Sequence, residues 1–354
     1  MEQKVALAIN QVIANSPSAD SKAVAAALGQ FVVRRDPQRQ YIFIPPADVA
    51  GLDRMLAELP DDVKQQAVKI LAAHADDLYQ LAAERAEQGE GATAFQLLHE
   101  VLYFAPDREA ARKILGHRIV GENGERRWRI KSDRLRIRKA TRPHAQPAWP
   151  SGSDTIVSSP NFRIASRASE AETEFLAERL ERWHDIWRQV FFEYFQRPAN
   201  IQGWFSGKGH YRQPDRTFEV VFFADKNDYV AGLAADVPGI EASTGYYHDG
   251  QRTSYFYASD DQTVLDTWRH ELTHQLFQES RRSELSPFRD QFLWLGEGIA
   301  MYFESVTDFG SYATLGGFDA RRLQYARLRR LNEQFQIPLA QLSQLNRIEF
   351  QSQD

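Results

Sequence analysis

The sequence predicts an α+β protein whose N-terminal part is mostly helical and whose C-terminal part combines strands with helices. Three observations predict this class. Residues 61–88 place apolar side chains at intervals of three and four, the period of a helix with one buried face. Residues 141–159 are rich in proline and serine and show no period, which is typical of a linker. Residues 218–223, Phe-Glu-Val-Val-Phe-Phe, form a short run of β-prone residues.

Residues 1–140 are predicted to form a helical N-terminal domain. A second apolar stripe over 94–102 follows a glycine-containing break, and Asp107 is predicted to cap a short helix that ends at Gly116. The pattern of residues 92–116 resembles one degenerate tetratricopeptide-type repeat, and a plain helical hairpin is the alternative.

A basic hairpin is predicted at the end of this domain. Residues 118–130 suggest two strands joined by a turn at Glu122-Asn123-Gly124-Glu125, and residues 134–138 alternate like an edge strand. Residues 107–142 hold thirteen Lys/Arg and five Asp/Glu, whereas the whole chain has a formal net charge of −5. We interpret this stretch as the solvated face of a hairpin in preference to a site for an anionic polymer or lipid surface. The net charge argues against a general nucleic-acid binder.

Residues 160–354 are predicted to form a second domain after the linker 141–159. Asp260 or Asp261 lies where the N-cap of its central helix is expected. The elements predicted around 218–223 are a strand at 162–164, an amphipathic helix at 169–197, and strands at 243–247 and 252–258.

Composition limits the chemistry. Cysteine is absent from the 354 residues, which excludes disulfides, thiolate metal sites and cysteine nucleophiles. No run approaches the roughly 18 apolar residues of a membrane span. The first residues carry charges where the apolar core of a signal peptide would lie, so no location is predicted, and export stays open for a chain that follows a cleaved signal.

The segment His270-Glu271-Leu272-Thr273-His274 is the strongest chemical motif. Four helical residues advance about 400°, so His270 and His274 share one face and both imidazoles can reach a metal at roughly 2 Å. Glu271 is offset by about 100°, where its carboxylate can take a proton from a metal-activated water and pass it to a leaving amine. Two solvated histidines on a surface helix are the alternative. The apolar stripe of the same helix argues against that alternative: Val264, Trp268, Leu272 and Leu276.

A third ligand is predicted in Trp294-Leu295-Gly296-Glu297-Gly298-Ile299-Ala300-Met301-Tyr302-Phe303-Glu304. A catalytic zinc site needs three protein ligands and an open fourth position, and no histidine follows His274. Glu297, at the start of a second helix, is therefore the predicted third ligand of one zinc ion. Glu304 lies seven residues further along the same face and is predicted to accept a hydrogen bond from the outer nitrogen of a ligand histidine. A solvated helix position is the alternative for Glu304.

These two segments, HELTH and WLGEGIAMYFE, resemble the gluzincin metallopeptidases, which carry HExxH on one helix and a glutamate ligand on the next. Residues 160–310 are similar to peptidase MA-like bacterial families, in which this core follows helical repeat-like sequence. The resemblance implies a zincin-like catalytic domain, a small twisted sheet against the active-site helix, with an edge strand that holds an extended peptide. It also implies that His270, His274 and Glu297 are ligands and that Glu271 is the catalytic acid and base.

The sequence departs from this family at two places. Aminopeptidases of the group carry a G-x-M-E-N element, whereas Gly239-Ile240-Glu241-Ala242 lacks the Met and the Asn, so an aminopeptidase is not predicted. Gluzincins also use a Tyr or His downstream of the glutamate ligand to stabilise the oxyanion. Tyr312 and Tyr325 are the candidates, with a structural role as the alternative for each. The polar sequence up to Asp354 leads us to expect that the domain continues beyond it.

The sequence thus predicts zinc-dependent hydrolysis of a peptide or protein substrate. The alternative is a non-catalytic binding or scaffold protein that engages a protein partner through its N-terminal helices, with a zinc-binding but inactive or regulated peptidase-like domain. Neither a nucleic-acid partner nor a membrane span is expected. Cleavage specificity and the choice between exo- and endopeptidase are not predicted.

Overall fold

The computed structural model describes residues 2–15, 21–121, 126–130, 135–142, 147–281 and 292–352. Helices and strands are mixed along the chain, which confirms the predicted α+β class. The helices are α1 (Glu2–Asn15), α2 (Ser21–Gly29), α3 (Gly51–Met55), α4 (Asp61–Glu87), α5 (Gly91–Phe104), α6 (Glu109–Ile114), α7 (Glu170–Val190), α8 (Phe192–Phe195), α9 (Pro198–Phe205), α10 (Lys226–Leu233), α11 (Gln262–Glu279), α12 (Leu293–Glu304), α13 (Arg321–Asn332), α14 (Leu339–Leu342) and α15 (Arg347–Gln351). The strands are β1 (Arg39–Phe43), β2 (Arg118–Val120), β3 (Arg127–Arg129), β4 (Arg136–Lys139), β5 (Thr155–Ser158), β6 (Phe162–Ser166), β7 (Phe218–Phe223), β8 (Tyr246–His248), β9 (Thr253–Tyr257), β10 (Thr307–Asp308) and β11 (Tyr312–Gly316).

The chain divides into two compact units, each of which combines segments that are separated in sequence. The first unit comprises Met1–Ser132, Arg188–Gln213 and Asp308–Thr314. The second comprises Asp133–Trp187, Pro214–Thr307 and Leu315–Asp354. The domains drawn from the sequence, 1–140 and 160–354 with a linker between them, stay a prediction.

The core of the first unit is the helical pair α4 and α5. Gly89 adopts φ +80° between the two helices, a conformation that glycine enters without steric cost. Most of the predicted stripe of each helix is buried, whereas Ile70, Leu81 and Leu97 are half-buried. The core residues of the two helices include Ala67, Leu71, Ala75, Leu78, Ala82, Ala94, Phe95, Leu98, Val101 and Leu102. The predicted cap of the next helix is wrong: Arg108, not Asp107, occupies the N-cap of α6, without a side-chain capping bond.

The predicted basic hairpin is present in its strands. β2 pairs antiparallel with β3, with Arg118 opposite Arg129, and the predicted turn at 122–125 lies outside the described residues. The predicted edge strand at 134–138 is not part of this hairpin. β4 pairs antiparallel with β5 at the edge of the second unit's sheet.

The second unit contains a six-stranded mixed sheet with the order β4-β5-β6-β7-β9-β8. The pairs β6–β7 and β7–β9 are parallel, and the remaining pairs are antiparallel. Parallel neighbours need crossover connections, and α7 and α10 lie in the two crossovers. Inside the predicted linker, Thr155–Ser158 form β5, which pairs with β4 and β6 and has Ile156 and Val157 buried. The predicted helix 169–197 is too long, because α7 ends at Val190 and α8 follows Phe191.

One face of this sheet carries the helix of the HELTH motif. Trp268 of α11 packs edge-on against Phe222 of β7, with ring centroids 5.6 Å apart, and lies 5.8 Å from Phe256 of β9. The predicted stripe Val264, Trp268, Leu272 and Leu276 is buried, as periodicity indicated. On the opposite face, Tyr229 of α10 packs edge-on against Phe223 at 5.5 Å. Among the described residues, no helix is both long and apolar enough to cross a membrane.

Candidate metal centre

The helix α11 brings His270 and His274 together. It begins where Asp261 accepts a hydrogen bond from the Thr263 N–H at 2.7 Å, the N-cap expected from the sequence. The four-residue spacing then places the two Nε2 atoms 3.2 Å apart, with ring centroids at 4.9 Å. Both rings are partly exposed, at 14% and 18% of their side-chain surface. Part of each ring is therefore in contact with solvent.

Glu297 of α12 completes a group of three. Its Oε2 lies 3.0 Å from His270 Nε2, and its Oε1 lies 3.5 Å from His274 Nε2. Glu297 is in the second turn of α12, which begins at Leu293, so the sequence placed the helix start too late. One ligand atom from each of His270, His274 and Glu297 lies within 4.8 Å of the others, and the group can hold a metal ion.

The pKa values of His270 and Glu297 are shifted by their mutual contact. Burial opposes protonation of His270, but its hydrogen bonds to Glu297 and Glu304 outweigh burial and raise its pKa to about 10. Burial alone would raise the pKa of Glu297, whereas the two histidines lower it well below the usual range. The negative charge of the carboxylates around His270 can be balanced either by a second proton on its imidazole or by a metal ion.

Glu304 orients His270 from the other side of the ring. Its Oε1 lies 2.7 Å from His270 Nδ1, and its side chain is only 8% exposed, unlike a solvated helix position. A carboxylate at this distance holds a hydrogen on Nδ1, so a metal ion would bind at Nε2 in place of the proton that Nε2 otherwise shares with Glu297. Burial would raise the pKa of Glu304, but the hydrogen bonds from His270 and Arg322 lower it overall.

Glu271 lies beside the group and outside it. Its Oε2 accepts a hydrogen bond from the Tyr247 N–H of β8 at 2.8 Å. Burial raises the pKa of Glu271, although the neighbouring histidines counteract part of the rise. The carboxylate is thus anchored to the sheet through one oxygen.

Sequence reasoning missed two partners of this site. The backbone of Tyr247 carries no residue-type pattern, so its bond to Glu271 has no signature in the sequence. Arg322 of α13 donates to Glu304 Oε2 at 2.9 Å, and no spacing rule links it to either motif.

The two candidate oxyanion residues have ordinary structural surroundings. Tyr312 lies on β11 in the first unit, where its ring stacks on Tyr41 at 6.0 Å and on Phe309 at 4.9 Å. Tyr325 lies on α13 and is 60% exposed. Their assignment as oxyanion stabilisers stays a prediction.

A scan against protein-family models and searches of curated proteins and of solved structures find no match for this chain. The function is therefore inferred from the site itself.

Proposed function

We propose that this chain is a zinc-dependent peptidase of the gluzincin type, with His270, His274 and Glu297 as the zinc ligands. The spacing of the donor atoms carries the proposal. Donors held at about 2.0–2.1 Å in a tetrahedral zinc site lie about 3.3 Å from one another. His270 Nε2 lies 3.2 Å from His274 Nε2 and 3.0 Å from Glu297 Oε2, whereas His274 Nε2 lies 3.5 Å from the other oxygen of Glu297, Oε1. Each carboxylate oxygen therefore faces one imidazole at close to the donor separation of a zinc site, and one donor from each residue lies within 4.8 Å of the others.

The chemistry of the donors supports zinc as the metal. Two imidazoles and one carboxylate form a ligand set typical of catalytic zinc sites that keep an open position. A zinc ion held there supplies Lewis-acid activation of a water molecule near neutral pH. The partial exposure of the three side chains, between 14% and 29%, leaves room for water and substrate to approach.

Glu271 is the proposed proton carrier. It is the neighbour of a ligand on the same helix and is held in place by the Tyr247 N–H. In this role its carboxylate takes a proton from the attacking water as the new C–O bond forms. It then gives this proton to the amine that leaves as the C–N bond breaks.

The edge strand β8 supports a peptide as the substrate. Since β8 is the last strand of the sheet and Tyr247 N–H donates to Glu271, the free edge of β8 faces that carboxylate. An extended peptide adding to this edge would lie beside the metal group, as the zincin resemblance implies. The packing of α11 against the sheet supports the same zincin-like arrangement.

Peptide cleavage by the Glu271→Gln variant tests this function. The zinc-loaded full chain is incubated with a broad peptide library, and products are identified by mass spectrometry. We expect cleavage by the wild type, loss of at least about 100-fold in kcat/KM for Glu271→Gln, and full metal content in both. Glu178→Gln, an exposed glutamate of α7, serves as the control and should cleave like the wild type. Cleavage by Glu271→Gln at the wild-type rate would show that Glu271 is not the proton carrier. No cleavage by the zinc-loaded wild type would favour the non-catalytic scaffold.

A further inference from the structure

We propose that Arg322 is a positioning residue of the metal centre, which fixes the carboxylate of Glu304 and through it the ring of His270. This inference rests on the proposed metal-binding role of His270. It extends the site beyond the two motif helices to α13, a helix with no recognisable motif.

The Glu304 carboxylate is held at both of its oxygens. Arg322 Nε donates to Oε2 at 2.9 Å and its Nη2 donates to Oε1 at 3.3 Å, which is the two-pronged geometry that guanidinium groups form with carboxylates. Oε1 also lies 2.7 Å from His270 Nδ1. With three contacts on two oxygens, the carboxylate cannot rotate without breaking a charge-assisted hydrogen bond.

The position of Arg322 distinguishes it from a simple surface pair. Glu304 is 8% exposed, whereas Arg322 is 58% exposed and reaches the carboxylate from the solvent side. The carboxylate therefore lies between the guanidinium and the metal ligand, with one partner on each side. Loss of the guanidinium would leave His270 as the only side-chain hydrogen-bond partner recorded for Glu304 among the described residues, with Arg269 interacting with it through charge alone.

Arg321 provides a matched comparison. This neighbouring arginine donates to Asp266 Oδ2 at 3.0 Å and to Thr263 Oγ1 at 3.3 Å, and it is 64% exposed. It thus ties α13 to α11 through the same chemistry, one residue away, without contacting Glu304. None of the residues of α13 is buried, so the hydrogen bonds of Arg321 and of Arg322 both help to hold this helix in place. A role in anchoring alone would make the two arginines equivalent, whereas positioning of His270 would not.

Cobalt binding measures the difference. Co²⁺ is titrated into the metal-free full chain, and its visible absorption gives both the affinity and the ligand geometry. Removing an outer partner of a metal-bound histidine typically lowers metal affinity by about 10- to 100-fold. That range applies to Glu304→Gln, which removes the partner of His270 itself. Arg322 acts through Glu304, so we expect a loss near the lower end of the range, about 10-fold, for Arg322→Gln with a changed cobalt spectrum, and a smaller loss for Arg322→Lys, which keeps the charge without the two-pronged contact. Arg321→Gln should bind cobalt within about twofold of the wild type.

A double variant separates positioning from anchoring. In a Glu304→Gln background, Arg322→Gln should change cobalt affinity by less than about twofold, because the carboxylate through which it acts is gone. Equal losses for Arg321→Gln and Arg322→Gln, or unchanged affinity for Arg322→Gln, would overturn the inference. Wild-type protein that binds no cobalt would instead contradict the proposed metal site itself.

Discussion

Two histidines of this chain show how the surroundings of a single residue decide its charge. His270 lies between two carboxylates, and its pKa is raised to about 10. His74 lies on α4 in the core of the first unit, 5% exposed, with its ring edge-on to Phe104 at 4.6 Å. Burial lowers the pKa of His74 to about 4, although Asp77 counteracts part of the fall. No hydrogen-bond partner is recorded for its Nε2 among the described residues.

His74 should make the stability of the protein depend on pH. Its pKa is about 6.5 in the unfolded chain and about 4 in the folded one, so the unfolded chain binds the proton more tightly. Stability therefore falls as the pH drops from about 6.5 to 4, by at most about 3 kcal/mol in total because solvent screening reduces the effect. His74→Leu lacks this loss. As the pH falls from 6.5 to 4, the free energy of unfolding of the variant should therefore increase relative to that of the wild type.

Urea unfolding at pH 7, 5.5 and 4 measures this gain. His210→Gln, which changes an exposed histidine, should follow the wild-type profile. Parallel pH profiles for His74→Leu and the wild type would show that His74 is not the source of the dependence.

At the scale of the element, α11 is fixed to the sheet by a buried glutamine next to a metal-site histidine. Gln275 is fully buried, accepts a hydrogen bond from Ser254 Oγ at 2.8 Å and donates to the Glu219 carbonyl at 3.0 Å. Ser254 and Glu219 lie on β9 and β7, so one side chain sets the height of α11 over two strands. The position of His274 over the sheet depends on this contact.

Replacement of this glutamine should destabilise the second unit. Gln275→Leu leaves the buried Ser254 hydroxyl without its acceptor, which costs about 1–3 kcal/mol in the free energy of unfolding. Urea denaturation of the single variants and of Gln275→Leu with Ser254→Ala forms a double-mutant cycle. We expect the double variant to lose less than the sum of the two single losses. Additive losses would mean that the Ser254–Gln275 contact does not hold the helix in place.

Periodicity predicted some elements well and others poorly, for identifiable reasons. The stripe of α11 was visible because every fourth residue from Val264 to Leu276 is apolar and buried. The end of α7 was not visible, since Phe191 and Phe195 continue the apolar pattern across the break after Val190. The strand Thr155–Ser158 was hidden by its proline- and serine-rich flanks.

The metal group itself was predictable and its supports were not. Fixed spacing along helices relates His270 to His274, and Glu297 to Glu304, so the sequence indicated all four. The contact between Arg322 and Glu304 joins two different helices. No periodic rule spans such a connection, and only the fold brings the two side chains together.

At the scale of the whole molecule, the chain forms two compact units, and each unit is built from three segments that alternate along the sequence. Residues Arg188–Gln213 and Asp308–Thr314 belong to the first unit although they lie within the C-terminal half. Composition and linker patterns divide a sequence into continuous stretches, so they cannot predict a unit built from separated segments. The three residues of the candidate metal group, with Glu271, Glu304 and Arg322, all belong to the second unit.

The central claim is that this unit holds one catalytic zinc ion, and the zinc content of purified protein tests it most directly. The full chain is dialysed to equilibrium against a zinc buffer, and its zinc content is measured by inductively coupled plasma mass spectrometry. We predict one zinc ion per chain for the wild type and for Glu271→Gln, and less than about one tenth of that for His270→Ala and His274→Ala. An equal zinc content in the wild type and His270→Ala, whether both bind or neither does, would contradict the claim.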